Sequence, residues 1–402
     1  MTQKNMRVAI ITENFLPKLD GVTRTIAMLL EHLQQRGHQA IVFGPEGSVP
    51  SYAGAQVIPV TGIPIPFYPE LKFLFPQRSM GQSLAHFHPD IIHLADPMLL
   101  GMAGLYWARK QSIPVVAAYH TNLADYIAHY GLGWLEQPTW SYRRFLHNQC
   151  AATLCPSPST IAMLRQHGFE RLAIWPRGVD SILFAPSKRS IALRQELGAM
   201  DDATTLLLYV GRLSHEKNIT ILSESYRALA QPGVHLVIVG DGPARAEIEH
   251  DLQGYPVTFT GYRSGEALAV IYASCDAFLF PSTTETFGQV VQEAMASGLP
   301  VVGANAEGVC DLVIPGKTGI LVTPNDVAGF TDAARILIQD VPYRQEMGGN
   351  ARNWAKQRTW SDVMDALLQL YAAVIAAPPS PPDPDLPETL DDLAFVEEDS
   401  AE

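Results

Sequence analysis

Cysteine is scarce in this chain. Four thiols in 402 residues, Cys150, Cys155, Cys275 and Cys310, show no metal-binding or redox spacing, which argues against a disulfide scaffold or a zinc ribbon. Three of them sit in or beside apolar runs, as buried thiols of a reducing compartment do. No apolar run reaches 18 residues, and the polar start of five residues leads straight into a strand pattern with no room for a signal peptide. Charge is sparse at 17% of residues, and bases are the minority, 28 against 41 acids, which speaks against nucleic acid as a partner. The acid excess is local. Residues 377–402 hold nine acids and no base, so removing those nine charges from the net of −13 leaves −4 for the preceding 376. A hard-metal cluster is missing as well: Asp383-Pro384-Asp385 spells a metal triplet in a Pro-rich tail with no strand to position it, and His88-Pro89-Asp90 reads as a loop. The expectation is a cytoplasmic protein with no metal and no cofactor, and a place on the inner face of a membrane stays open.

What is present is a repeated alternation of short apolar runs with helical lengths. Runs at 6–13, 38–45, 55–60, 90–96, 114–121, 152–157 and 172–176 read as strands of one parallel, doubly wound sheet. A second series follows the turn-rich WPRGVDSILFAP, with strands at 204–211, 234–240, 257–261, 277–282, 301–304 and 319–322. The fold class is therefore α/β, with two Rossmann-like domains. We expect domains at 1–185 and 186–358, a helix at 359–376 packing back on the first, and a disordered acidic tail at 377–402. Such sheets bind ligands beyond the carboxyl ends of their strands, so two facing domains would share one ligand.

Several stretches carry chemistry. TTETFGQVVQEAMASGLPVVG (283–303) places Glu285 and Glu293 eight residues apart across a helix start, so their carboxyl groups could stand on the order of 12 Å apart, the reach from a sugar ring to a ribose. The helix start between them suits a diphosphate. The alternative is a cap and a solvated helix residue. In GRLSHEKN, Arg212 and Lys217 follow the first strand of the second domain and offer a bidentate clamp and a point charge to phosphate, or a pair of solvated cations. Gly21, with Asp20 as a cap, allows close approach of a phosphate or simply makes a turn. His120 ends a strand, as a core histidine or a substrate contact. VGDGP (239–243) makes a glycine turn.

Taken in order, the Gly21 loop, YHTN, RGVDSILFAP, GRLSHEKN, VGDGP and ETFGQVVQE resemble the retaining glycosyltransferases of family 4 over about residues 6–376. The resemblance implies the GT-B fold, two facing Rossmann-like domains, and a metal-independent hexosyltransferase. It implies that Glu285 contacts the donor sugar, that Glu293 contacts the ribose, that Arg212 and Lys217 lie on the diphosphate, that His120 lies near the donor sugar, and that the amides of Thr286, Phe287 and Gly288 approach sugar and phosphate. Ala306-Glu307-Gly308 departs from the paired glycines common in the family.

Within the family, YGLGWLEQPTWSYRRFLHN, WPRGVD and the 285–303 segment look most similar to GDP-mannose-dependent α-mannosyltransferases and to sulfolipid-type sulfoquinovosyltransferases, which largely serve lipid acceptors. The favoured donor is GDP-mannose, with a UDP-sugar as the alternative, and the partner is a lipid or glycan acceptor with a peripheral membrane contact. Tyr126, Trp134, Arg143 and Arg144 are the candidate acceptor-binding residues, in a stretch that interleaves aromatics with arginines and suits either an interface or a buried helix pair. A front-face attack in which the leaving phosphate takes the acceptor proton fits, because no carboxylate of the first domain stands out as a nucleophile or base. Two other classes remain: an epimerase would turn over the nucleotide sugar without an acceptor, and a sensor would bind it without releasing nucleoside diphosphate.

Overall fold

The structure, a computed structural model, describes residues 5–18, 20–65, 68–74, 77–122 and 133–377, with the side chains of 63–74 outside that description. The chain forms two compact units. The first runs up to Pro156 and takes in 161–175 and the chain from Met364; the second holds 157–160 and 176–363.

The first unit is built on strands β1 (Arg7–Thr12), β2 (Gln39–Pro45), β3 (Ser51–Tyr52), β4 (Ala55–Val60), β7 (Ile91–Ala95), β8 (Val115–Ala118), β9 (Ala152–Cys155) and β10 (Leu172–Ile174). Their order is β10-β9-β8-β7-β1-β2-β4-β3, parallel except for the short edge strand β3. β1, β7, β8 and β9 are apolar along almost their whole length because helices cover both faces of the sheet. The helix Gly21–Gln35 shows how the sequence makes those covers. Asp20 accepts a hydrogen bond from the Thr23 amide at 2.8 Å, and Ile26, Leu29, Leu30 and Leu33 form one buried stripe. The last helix, Trp360–Ala376, contributes to this unit from Met364: Asp365 bonds His32 at 2.7 Å and pairs with Arg36, and the buried Tyr371 hydroxyl meets His93 Nδ1. Between β4 and β7, a proline-rich stretch forms a two-stranded antiparallel hairpin, β5 (Gly62–Ile65) with β6 (Tyr68–Leu74). Its β-branched and aromatic residues outweigh prolines that a two-stranded edge can tolerate.

The second unit has six parallel strands, β11 (Thr205–Val210), β12 (Val234–Val239), β13 (Val257–Gly261), β14 (Ala277–Phe280), β15 (Val301–Ala304) and β16 (Gly319–Val322), in the order β13-β12-β11-β14-β15-β16. A single core of buried aliphatic and aromatic side chains runs through this unit. In each sheet the chain winds outward from a central strand in both directions. That leaves a crevice at the carboxyl ends of two neighbours: β1 and β7 in the first sheet, β11 and β14 in the second.

Candidate active site

The second sheet's crevice is fixed from the backbone upward. After β11, the Gly211–Leu213 turn lies flat on the loop after β12, with Gly211 N donating to Val239 O, Leu213 N to Asp241 O and Ala244 N to Leu213 O, each at 3.0 Å. Only glycine permits that approach. At Gly240, where φ is 135°, a Cβ would stand 1.9 Å from Gly211 O. From beneath, the buried Tyr209 hydroxyl donates to Arg212 O at 3.1 Å, so the Arg212 backbone is held while its side chain is exposed.

Beyond Arg212, the chain is stitched to the loop after β14. Asn218, in the left-handed region at φ 52°, donates from Nδ2 to Pro281 O and to Thr283 Oγ1, both at 3.2 Å. Thr284 Oγ1 donates to Glu216 O at 3.0 Å. At the centre Lys217 Nζ donates to Glu285 Oε1 at 2.7 Å, and Ser282 Oγ donates to the same oxygen at 3.0 Å. The side chains are 16% and 19% exposed, so the pair is shielded yet open on one side, where it is worth more than a surface ion pair. Burial pushes the neighbouring Glu216 carboxyl up, but the Ser214 hydroxyl and the charges of Arg212 and Lys217 hold it below the usual range.

Glu285 lies four residues before the helix Gln289–Ala296, which starts at Gly288 with φ 87° and, among the described residues, no side-chain cap. Its first amides are thus available to an anion. The loop is backed by Gly308 at φ 74°, where a Cβ would stand 2.6 Å from Glu285 O and 2.8 Å from Phe287 N. Two cations, an uncapped helix start and a carboxylate therefore converge at one crevice, a set suited to holding a diphosphate beside a polyol.

The first sheet's crevice is built differently. Glu13, just past β1, accepts through Oε1 from the amides of Met98 at 3.1 Å and Leu100 at 3.0 Å, beyond the end of β7. Burial is the main cause that pushes its carboxyl up to about 7, with Asp96 adding to the effect against the pull of the helix amides. Asp96 takes a left-handed φ of 53° and pairs with Arg143, which is 1% exposed, donates to Thr121 O at 2.7 Å and stacks its guanidinium 4.4 Å over the Tyr119 ring. His120, 8% exposed at the end of β8, has its amide 3.5 Å from Asp96 Oδ1 and its ring edge-on to Trp175 at 5.7 Å. Tyr142 donates to Met98 O at 3.0 Å, and burial together with Glu13 pushes its phenol up to about 12.

Comparison with known proteins bears on both crevices. The family model "Glycosyltransferase Family 4" matches residues 19–181, and "Glycosyl transferases group 1" matches 193–354. A GDP-mannose-dependent alpha-mannosyltransferase of Corynebacterium glutamicum is 39% identical over 376 residues, covering 92% of this chain and 90% of that protein. The chain belongs to the family 4 glycosyltransferases. A sulfoquinovosyl transferase of Arabidopsis thaliana is 35% identical, over 89% of this chain and 71% of its own length. The solved structure of Anabaena HepE with UDP superimposes with a TM-score of 0.76 at 22% identity, covering 92% of this chain and all of that one, and shares the GT-B fold.

In this glycosyltransferase the structure brings Lys217 and Glu285 into contact, with residues 286–288 following Glu285 and the charge of the exposed Arg212 acting on Glu216. Glu293 is 1% exposed on the inner side of its helix. Gly21 opens the helix Gly21–Gln35, and a methyl there would meet nothing within 4 Å, so the chain's own packing does not require glycine. Trp134 is 74% exposed and Arg144 is exposed, whereas Arg143 is buried on the same stripe as Trp140, Leu146 and His147. Tyr126 and the acidic tail from 378 lie outside the described residues. Among the described residues no three His, Cys, Asp or Glu side chains gather as a metal-ligand set, and no helix is long and apolar enough to cross a membrane. Sequence reading missed Glu13, Asn218 and Tyr209. The position of Glu13 at the carboxyl end of a buried strand was the signal that could have found it.

Proposed function

We propose that this glycosyltransferase transfers mannose from GDP-mannose, with retention, to form an α-linkage on a lipid or glycan hydroxyl. The observation that carries the reading is the Lys217–Glu285 bridge across the crevice between β11 and β14, with Arg212 and an uncapped helix start beside it. Glu285 and the amides of Thr286, Phe287 and Gly288 hold the sugar, and Glu293 serves the ribose. Arg212, Lys217 and the helix amides take the charge of the departing diphosphate without a metal. The bond from the anomeric carbon to phosphate breaks, the acceptor oxygen bonds the same face, and the leaving phosphate oxygen takes the acceptor's proton. In the first unit, His120 and the Gly21 amide are that unit's ligand contacts. The donor choice is supported by relatives named GDP-mannose-dependent alpha-mannosyltransferase at 38–39% identity.

The exposed Trp134 and Arg144 favour an acceptor presented at a membrane surface, an aromatic for the interface and a cation for anionic headgroups. A second reading, a UDP-sugar-dependent glycolipid synthase, is favoured by the sulfoquinovosyl transferase relative. Thermal stabilisation separates them. A donor at a hundredfold excess over its Kd adds roughly 2.7 kcal/mol, so GDP-mannose should raise the unfolding midpoint while UDP-glucose and UDP-sulfoquinovose do not. The reverse order would replace the first reading by the second.

A further inference from the structure

The acid at the carboxyl end of β1 has no part in the chemistry above. Its oxygen Oε1 takes the amides of Met98 and Leu100, the start of the helix Leu99–Lys110, whose own N-cap, Met98, supplies no side-chain bond. Glu13 thus caps a helix from 85 and 87 residues away in sequence. The turn between β7 and that helix is gripped at three points: Glu13 holds its two amides, Tyr142 donates to Met98 O, and Arg143 pairs with Asp96. Asp96 in turn faces the His120 amide.

We propose that Glu13 is a positioning residue for the transfer reaction: its carboxylate clamps the Met98–Leu100 turn, and through Asp96 that turn holds the His120 segment in its working position. The inference rests on His120 being a ligand contact, as proposed above.

The charges around the clamp set how it responds to protons. Asp96 faces Glu13 from the loop after β7; Tyr142 faces it from the helix Glu136–Asn148; Arg143, on that same helix, reaches Asp96; His120 lies beyond Asp96, after β8. Two carboxylates thus stand near one guanidinium. Ionised, Glu13 gives both amides charge-assisted bonds, and a proton on it weakens both together. Burial places that proton near pH 7.

The test uses the full chain with GDP-mannose and a lipid acceptor from pH 5.5 to 9. Wild type should lose turnover on the acid side with a midpoint near pH 7, while Glu13→Gln, which keeps the acceptor oxygen and the size, should be several-fold slower at pH 8, flat on the acid side, and within about twofold of wild type in donor KM. An acid limb that is the same in both proteins overturns the proposal. Backbone amide proton shifts in the wild type need no variant: those of Met98 and Leu100 should move upfield together as pH falls from 8 to 6, with a midpoint near pH 7 as their bonds to Glu13 weaken, with the His120 amide following, and shifts that do not titrate also overturn it. If wild type turns over no nucleotide sugar at any pH, the transfer reading fails, and the amide shifts still judge the clamp.

Discussion

The two sheets each place a glutamate at the crevice where their winding reverses, and the partners make the two acids different. Glu285 accepts from an ammonium and a hydroxyl, whereas Glu13 accepts from two backbone amides with Asp96 close by. A carboxylate bonded to the Lys217 ammonium keeps a cation at the crevice. A carboxylate buried against amides beside a second acid is held less strongly ionised, so its proton moves at neutral pH. Shared topology supplies the position; the local partner decides what the acid can do there.

Four outcomes would break or sharpen that contrast. The largest belongs to the first crevice, where Arg143→Ala leaves Asp96 without its buried partner and should lower stability by about 3–5 kcal/mol in urea unfolding. A loss under 1 kcal/mol would return Arg143 to an acceptor-binding role. In the second crevice, Lys217→Ala should slow transfer by ~10²–10³, about 2.7–4 kcal/mol, which steady-state GDP release reads. Gly308→Ala should cost about 1–3 kcal/mol, from its φ of 74° and the crowding on Glu285 O and Phe287 N, and should slow transfer about tenfold by displacing that loop.

The smallest effect belongs to Glu13 and is read by pH alone. Because the folded chain binds the Glu13 proton more tightly than the unfolded chain does, its contribution to stability rises as pH falls from about 7 toward the ordinary carboxylate range and is absent above 7. Between pH 8 and pH 5, wild type should therefore gain on the order of 1–2 kcal/mol relative to Glu13→Gln, after allowance for partial exposure. Equal pH dependence of the two unfolding curves would mean that Glu13 titrates as an exposed carboxyl.

The strands were legible because each is a continuous apolar run bounded by turn residues, and the site residues followed because they cluster just after those runs. Strand order was not legible, so the tie between the loops after β11 and β14, made by Asn218 and Thr284 to backbone atoms more than 60 residues away, had no signature in the letters. For Glu13 the place was legible, directly after a buried strand, but its partners are amides of a distant turn and those were not. Arg143 was read as part of an aromatic and basic interface, yet its spacing of three from Trp140 and from Leu146 puts it on the helix's inner stripe, where Asp96 and the Tyr119 ring receive it. The hairpin at 62–74 was hidden by prolines that argue against strands in general but not at an edge.

The most direct test of the proposed reaction is the nucleotide released from an equimolar mixture of GDP-mannose, UDP-glucose and UDP-sulfoquinovose, with a lipid extract as acceptor and the full chain as catalyst. The account predicts GDP, formed only when acceptor is present and accompanied by an α-mannosylated product. Release of UDP in its place, or of GDP without any acceptor, would contradict it.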